Sequence, residues 1–303
     1  MYKFLPIVRS MIWGTEYWVL SGYPERLSVV ADGPCASMGI DALIAREGAA
    51  LLGEGPLRRF GGEFPLLVKF IDAREDLSIQ VHPDEETAMR VHGTHGKTEM
   101  WYILSAKPQA HIYAGLSRAV TPEEYEALVD AHRITEVLAD HRIAPGDVFF
   151  LPPGRIHAIC GGTFLAEIQQ TSDLTYRIYD YGRKGTDGKM RVLHTDWAKD
   201  AIDYQVYPSY RTEYTRRQDT EVPLVSCAYF RTSLYDLTRP LRCSYAGLDS
   251  FVIVVCVAGS GTVSAGGDTQ PLSMGECLLL PATATAAEYR PGGEPFRLLV
   301  SHL

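Results

Sequence analysis

Short runs of apolar, aromatic and β-branched residues recur along this chain, and most are cut off by Gly, Pro or Asp. Eleven stand out: Phe64–Asp72, Leu77–His82, Met100–Ser105, Ala110–Ala114, Asp147–Leu151, Phe164–Gln169, Tyr176–Tyr181, Tyr229–Leu237, Phe251–Val257, Cys277–Leu280 and Phe296–Val300. Side chains of this kind pack well on a pleated surface, and Gly, Pro and Asp interrupt one. Strands this short and this often broken build sandwiches or barrels rather than strand–helix–strand units. Helices fit only as insertions. In "TPEEYEALVDA", Thr121 is placed to cap, Pro122 to open the helix and Glu124 to close a capping box. Asp41–Gly53 is a second helical candidate.

An internal repeat sharpens this mainly β reading. "GDVFFLPPGRIHAI" (Gly146–Ile159) and "GECLLLPATATAAE" (Gly275–Glu288) carry a Gly, an acid, an apolar stretch and a Pro at matching places. Two copies of one β-barrel motif follow. The polar, Arg-rich stretch Arg211–Asp219 marks their join, so residues 1–215 form one domain and 216–303 the other. Aligned on the glycines, His157 stands opposite Ala286. Chemistry is therefore expected in the first copy and packing in the second.

Charge and cysteine usage narrow the function. A net charge of −8 argues against a nucleic-acid partner, and an anionic ligand must find its positive contacts locally. No apolar stretch approaches the ~20 residues of a membrane span. The N-terminus lacks the long apolar region and cleavage site of a secretory signal. The six cysteines are scattered, without a C-x-x-C pair, which points to reduced thiols and a cytoplasmic location.

The segment "SIQVHPDEETAMRVHGTHGKTEMWYIL" (Ser78–Leu104) is rich in histidines and acids. Residues two apart on a strand share a face, so Gln80 and His82 point together. Pro83 ends the strand and leaves His82 at its rim. Glu99 opens the next strand, and His157 follows the turn "LPPG" at another strand end. One amide oxygen, two imidazoles and one carboxylate make a mixed shell suited to Zn²⁺, which keeps net positive charge and stays a strong Lewis acid. His92 and His95 sit in a Gly-containing loop with no strand end to aim them. They keep an ordinary polar role, as do His111, His132, His141, His194 and His302.

"FPLLVKFIDAREDLSIQVHPDEETA", "GKTEMWYIL", "DVFFLPPGRIHAI" and "AEIQQTSDLTYRIYDYGR" together resemble the type I mannose-6-phosphate isomerases, zinc-dependent enzymes of the cupin superfamily, in their short bacterial form. The resemblance implies two cupin-type jelly-roll (double-stranded β-helix) barrels with small helical insertions. It implies one Zn²⁺ per chain, held by Gln80, His82, Glu99 and His157, and active-site cations Lys97 and Arg177. The implied reaction interconverts mannose 6-phosphate and fructose 6-phosphate through a cis-enediol. This chain departs from the family in "IWGTEYWVLSG", which runs straight on where relatives carry a longer loop.

The residues themselves support parts of that chemistry. Arg177, in an alternating strand, suits a phosphate or carboxylate. Lys97, near the metal, and Glu167, in "AEIQQTSD", are rival proton-transfer groups, and Glu167 also suits the orienting of a histidine. Lys69, amid the apolar "LLVKFID", either snorkels or points into the barrel as a substrate contact. Two alternatives remain: an Fe(II) cupin dioxygenase, which uses two His and a carboxylate, and a non-catalytic sugar-binding or regulatory cupin. The expected partner is a small sugar phosphate, with no membrane, and the chain is a monomer or homodimer.

Overall fold

The computed structural model describes residues 1–185, 188–293 and 295–303. Its first strands are β1 (Tyr2–Lys3), β2 (Ile7–Met11), β3 (Gly14–Ser21), β4 (Leu66–Ala73), β5 (Ile79–Val81), β6 (Glu99–Ala106), β7 (His111–Leu116), β8 (Leu138–Arg142), β9 (Val148–Leu151), β10 (His157–Ile159), β11 (Thr163–Gln170) and β12 (Tyr176–Tyr179). The rest are β13 (Glu221–Ser226), β14 (Arg231–Leu237), β15 (Leu241–Ser244), β16 (Val252–Ala258), β17 (Ser260–Ala265), β18 (Asp268–Ser273), β19 (Cys277–Leu280), β20 (Ala286–Pro291) and β21 (Phe296–His302). Helices are short: α1 (Ile40–Glu47), α2 (Ala49–Leu52), α3 (Glu54–Phe60), α4 (Glu85–His92), α5 (Pro122–Asp130) and α6 (Thr195–Ala201). No helix among the described residues is long and apolar enough to cross a membrane.

Two compact units form, one of residues 8–17 and 69–212, the other of 1–7, 18–68 and 213–303. In the first, one sheet has the order β12-β5-β10-β7-β8, and the other takes its strands from the series β2-β3-β4-β11-β6-β9. An apolar core that includes Trp101, Ile103, Ile112, Phe149, Ile159 and Leu165 fills the space they enclose. The outer face of the β5 sheet buries Ile79, Val81, Ala158 and Ile178 beneath Tyr125 of α5 and Ala198 of α6. Thr121 caps α5 as expected, its side chain accepting from the Glu124 N–H at 3.2 Å.

The second unit repeats this plan. Its sheets run β19-β16-β21-β14-β13 (with β1 on the edge) and β15-β20-β17-β18, matching β9-β6-β11-β4-β3 and β5-β10-β7-β8 strand for strand. Register matches too. Glu99 faces Leu151 and Trp101 faces Glu167 in one copy; Val252 faces Leu280 and Val254 faces Val300 in the other. The duplication is therefore two-sheet and jelly-roll-like, with the sheets left open instead of closed into hydrogen-bonded barrels.

Two expectations need adjusting. Counted from the glycines, Ala286 matches His157, but the pleat aims Ala287 into the apolar core, where it packs with Tyr289 and Val263. The loop before β20 is effectively one residue longer, and a one-residue slip inverts every side chain. Ala287 pairs with Cys243, so the interior positions matching Gln80, His82, Glu99 and His157 hold Cys243, Tyr245, Val252 and Ala287. The helical candidate Asp41–Gly53 also breaks in two at Gly48, whose φ of +53° lies in the region that favours glycine.

Candidate metal centre

Pro83 limits β5 to three residues, and both neighbours of that strand matter. Gln80 lies directly opposite His157 of β10 and Arg177 of β12, so Arg177, Gln80 and His157 form one row across the sheet. Opposed residues share a face. Glu99 heads β6 in the facing sheet and closes the group. Ligand atoms of His82, Glu99 and His157 all lie within 4.8 Å of one another, and all three residues are buried. His157 Nε2 is 3.4 Å from Glu99 Oε1, and His82 Nε2 is 3.7 Å from Glu99 Oε2.

The imidazoles are aimed from behind. His82 Nδ1 meets the Leu174 carbonyl at 2.8 Å and His157 Nδ1 meets the Arg155 carbonyl at 2.7 Å. A carbonyl only accepts, so each Nδ1 carries the proton and each Nε2 presents a lone pair to Glu99. Burial, helped by the Lys97 charge, pushes His82 well below its ordinary range. Burial pushes His157 down to about 3. Both rings stay neutral, as metal ligation requires.

Glu99 Oε1 is buried with no hydrogen-bond partner among the described residues. Such an orphan costs about 1–3 kcal/mol unless something satisfies it. A divalent cation held by this oxygen and two Nε2 atoms does so, and the residues fit a metal. Gln80 presents its amide nitrogen to His157 Nε2 at 3.3 Å, while its oxygen faces Ser78 Oγ at 3.4 Å. Ligation through that oxygen requires the carboxamide to turn over.

Buried charges flank the group. Lys97 contacts Glu99 Oε2, and its Nζ lies 3.1 Å from His82 Nε2 and 3.7 Å from Glu167 Oε1. Lys69 does not snorkel: its Nζ turns inward to Glu167 Oε1 at 2.9 Å and Glu16 Oε1 at 3.9 Å. Trp101 Nε1–H donates to Glu167 Oε2 at 2.7 Å. Against the pull of burial, Lys69 and then Lys97 hold the Glu167 carboxyl below the usual range. Burial and the Glu167 charge raise Glu99. The two carboxyls titrate as a pair. Burial acts to lower Lys69, but Glu16 and Glu167 outweigh it and raise that ammonium.

Gln80, Lys69, Lys97, Glu167 and Arg177 line one cleft of about 220 Å³. Arg177 Nη1 donates to the Val192 carbonyl at 3.0 Å, and its Nε is buried without a hydrogen-bond partner among the described residues. Sequence reasoning missed four charged residues of this cleft: Arg9, Glu16, Asp173 and Arg191. Arg9 Nη1 bridges Glu16 Oε2 at 3.0 Å and Asp173 Oδ2 at 3.5 Å. Alternation in "IVRSM" was the available signal for Arg9, and Asp173 stands in the "QTSDLTYR" motif itself. His92 is not in a loop: it ends α4, which Asp84 caps by accepting from the Thr87 N–H at 2.7 Å. Neither His92 nor His95 joins the metal group.

Fold and site together define a double cupin with a single candidate metal centre among the described residues. Residues 7–126 match "Phosphomannose isomerase type I, catalytic domain", and residues 220–302 match "Mannose-6-phosphate isomerase, cupin domain". The chain is 32% identical to mannose-6-phosphate isomerase ManA of Bacillus subtilis, over 92% of each chain. It is 33% identical to a mannose-6-phosphate isomerase of Streptococcus mutans, over 90% of this chain and 84% of that one. A crystal structure of the Bacillus subtilis mannose 6-phosphate isomerase superposes with a TM-score of 0.88 at 30% identity, covering 100% of this chain and 99% of that one. The chain belongs to the type I phosphomannose isomerase family.

Proposed function

We propose that this protein is a metal-dependent aldose–ketose isomerase that interconverts mannose 6-phosphate and fructose 6-phosphate through a cis-enediol. One observation carries the reading: a cleft of about 220 Å³ places Arg177 and two buried lysines beside the metal-fitting residues. Zn²⁺, one per chain, is the proposed ion, with Gln80, His82, Glu99 and His157 as its ligands. When bound it supplies Lewis-acid stabilisation of the negative charge that develops on the sugar oxygens.

The chain's own groups divide the remaining work. Arg177 offers the phosphate its Nε, which has no hydrogen-bond partner among the described residues, as part of a planar fork suited to an oxyanion. Lys97 carries the proton between C1 and C2. Glu167 is the weaker candidate for that step, because Lys69 and Trp101 engage both its oxygens and favour its charged form, which lowers its basicity. Its role is to fix Lys97 and Lys69 at the cleft floor. Burial of these residues keeps water from the enediol. All these groups lie in residues 1–215, and 216–303 contributes none of them. The dioxygenase alternative shares the two-histidine, one-carboxylate group, but oxygen chemistry has no use for Arg177 and two buried lysines beside it, and a phosphorylated sugar does.

The test is turnover on the phosphorylated and unphosphorylated sugars, followed by NMR. Conversion of mannose 6-phosphate to fructose 6-phosphate, with free mannose about a hundredfold poorer in kcat/KM, is expected from the loss of charge-assisted bonds at Arg177. Absence of turnover in folded, zinc-loaded protein refutes the assignment.

A further inference from the structure

The turn Pro152–Ile156 joins β9 to β10 and touches both histidines. The Gly154 N–H donates to the His82 carbonyl at 2.9 Å. One residue on, the Arg155 carbonyl takes the Nδ1–H of His157 at 2.7 Å. The turn is itself held from outside the cleft. The Asp203 N–H donates to the Gly154 carbonyl at 2.8 Å. The Arg155 guanidinium carbon lies 4.4 Å from the Tyr207 ring centre and 4.5 Å from that of Tyr210. Tyr207 is tied by its hydroxyl to Asp203 Oδ2 at 2.8 Å, and Tyr210 by its hydroxyl to the Leu116 carbonyl at 2.8 Å.

The fit around this clamp is tight. A Cβ on Gly115 would lie 2.1 Å from the Tyr210 ring, and one on Gly154 would lie 2.8 Å from the Ala201 carbonyl. Both glycines have positive φ, +82° and +81°. Arg155 is buried, yet it does not line the cleft. A desolvated guanidinium set against two aromatic rings is a strong local anchor. Whatever fixes the Arg155 backbone also fixes the direction and tautomer of His157.

We propose that Arg155, clamped by Tyr207 and Tyr210, is a positioning residue for His157, and that the segment Asp203–Tyr210 is a latch setting metal affinity. The inference rests on the reading of His82, Glu99 and His157 as metal ligands. Outer contacts to ligating histidines typically govern affinity by about tenfold to a hundredfold.

The experiment measures Zn²⁺ affinity by chelator competition, and the release rate from metal-loaded protein, for wild type, R155M, R155K, Y207L and Y207F. R155M removes both cation–ring contacts and Y207L the one to Tyr207. R155M is expected to weaken affinity about tenfold to a hundredfold and speed release, and Y207L to do the same by a smaller factor, about threefold to tenfold. R155K keeps a cation against both rings and should stay within about threefold of wild type. Y207F keeps the ring but loses the tie to Asp203 and should fall between wild type and Y207L. Nitrogen-15 spectra of the imidazoles supply a readout that a general loss of stability would not move: His157 should lose its single Nδ1–H tautomer in R155M and Y207L. If R155M fails to fold, Y207L carries the test. Wild type that binds metal, with R155M and Y207L within twofold of it, overturns the latch and leaves the metal site standing. Wild type that binds no divalent ion overturns both.

Discussion

Replacing Lys69 with Met removes the ammonium 2.9 Å from Glu167 Oε1 and 3.9 Å from Glu16 Oε1. The site sits at 4% exposure, so solvent cannot take over the role. Breaking a buried pair from one side costs about 3–5 kcal/mol, because the other charge stays buried. Glu167 keeps Trp101 Nε1–H at 2.7 Å and Lys97 at 3.7 Å, which places the expected loss near the lower end, about 3 kcal/mol. At about 2–4 °C per kcal/mol for a chain of this size, the Tm should fall by about 6–12 °C. The pH dependence has a definite sign. Glu167 is held below its ordinary value of 4.5, so its contribution is full above that value and is lost as the pH falls below it. The gap between wild type and K69M should therefore be widest near neutrality and close in acid. Thermal melts at pH 7, 5, 4 and 3 measure it. K69M/E167Q, which removes both charges and keeps an acceptor for Trp101 Nε1–H, should recover most of the lost stability. A single variant within about 0.5 kcal/mol of wild type at pH 7, or a double variant no better than the single, refutes this account of the buried pair.

Further outcomes follow from the same geometry. Glu99→Gln should abolish stoichiometric metal binding, read by elemental analysis after dialysis, and lower turnover by about a thousandfold or more, since Lewis-acid stabilisation is worth several kcal/mol. Arg177→Met should raise the KM for mannose 6-phosphate about tenfold to a hundredfold with a smaller change in kcat, the loss of one charge-assisted contact. Gly115→Ala meets the Tyr210 ring at 2.1 Å with φ at +82° and should cost about 2–4 kcal/mol in denaturant melts. In the other unit, Asp249 accepts from the Glu54 and Gly55 N–H groups at the start of α3, and Asp249→Ala should cost about 1–2 kcal/mol without changing metal content.

Much of the site was legible because punctuation residues mark strand ends. Pro83 stops β5, the "LPPG" turn delivers His157 to the head of β10, and Glu99 opens β6, so local rules alone placed three side chains at strand rims. Lys69 announced itself as a cation in an apolar run. Arg9 and Glu16 did not, because only the pairing of distant strands brings the β2–β3 hairpin to the cleft. Helix α4 was hidden for another reason. Ala88 is its only buried residue, so it has no apolar stripe, and its Asp84 cap was the one local signal. In the second copy, one residue of loop length decided which alanine faces inward, a matter of pleat that glycine alignment does not capture.

Metal-dependent turnover tests the central claim most directly. The protein would be stripped with a chelator, titrated with Zn²⁺, and assayed at each step for conversion of mannose 6-phosphate to fructose 6-phosphate. Activity should vanish on stripping, return in proportion to bound metal, and saturate at one equivalent per chain. His157→Ala should stay inactive at every Zn²⁺ concentration. Full activity in metal-free protein, or full activity in His157→Ala, would contradict the account.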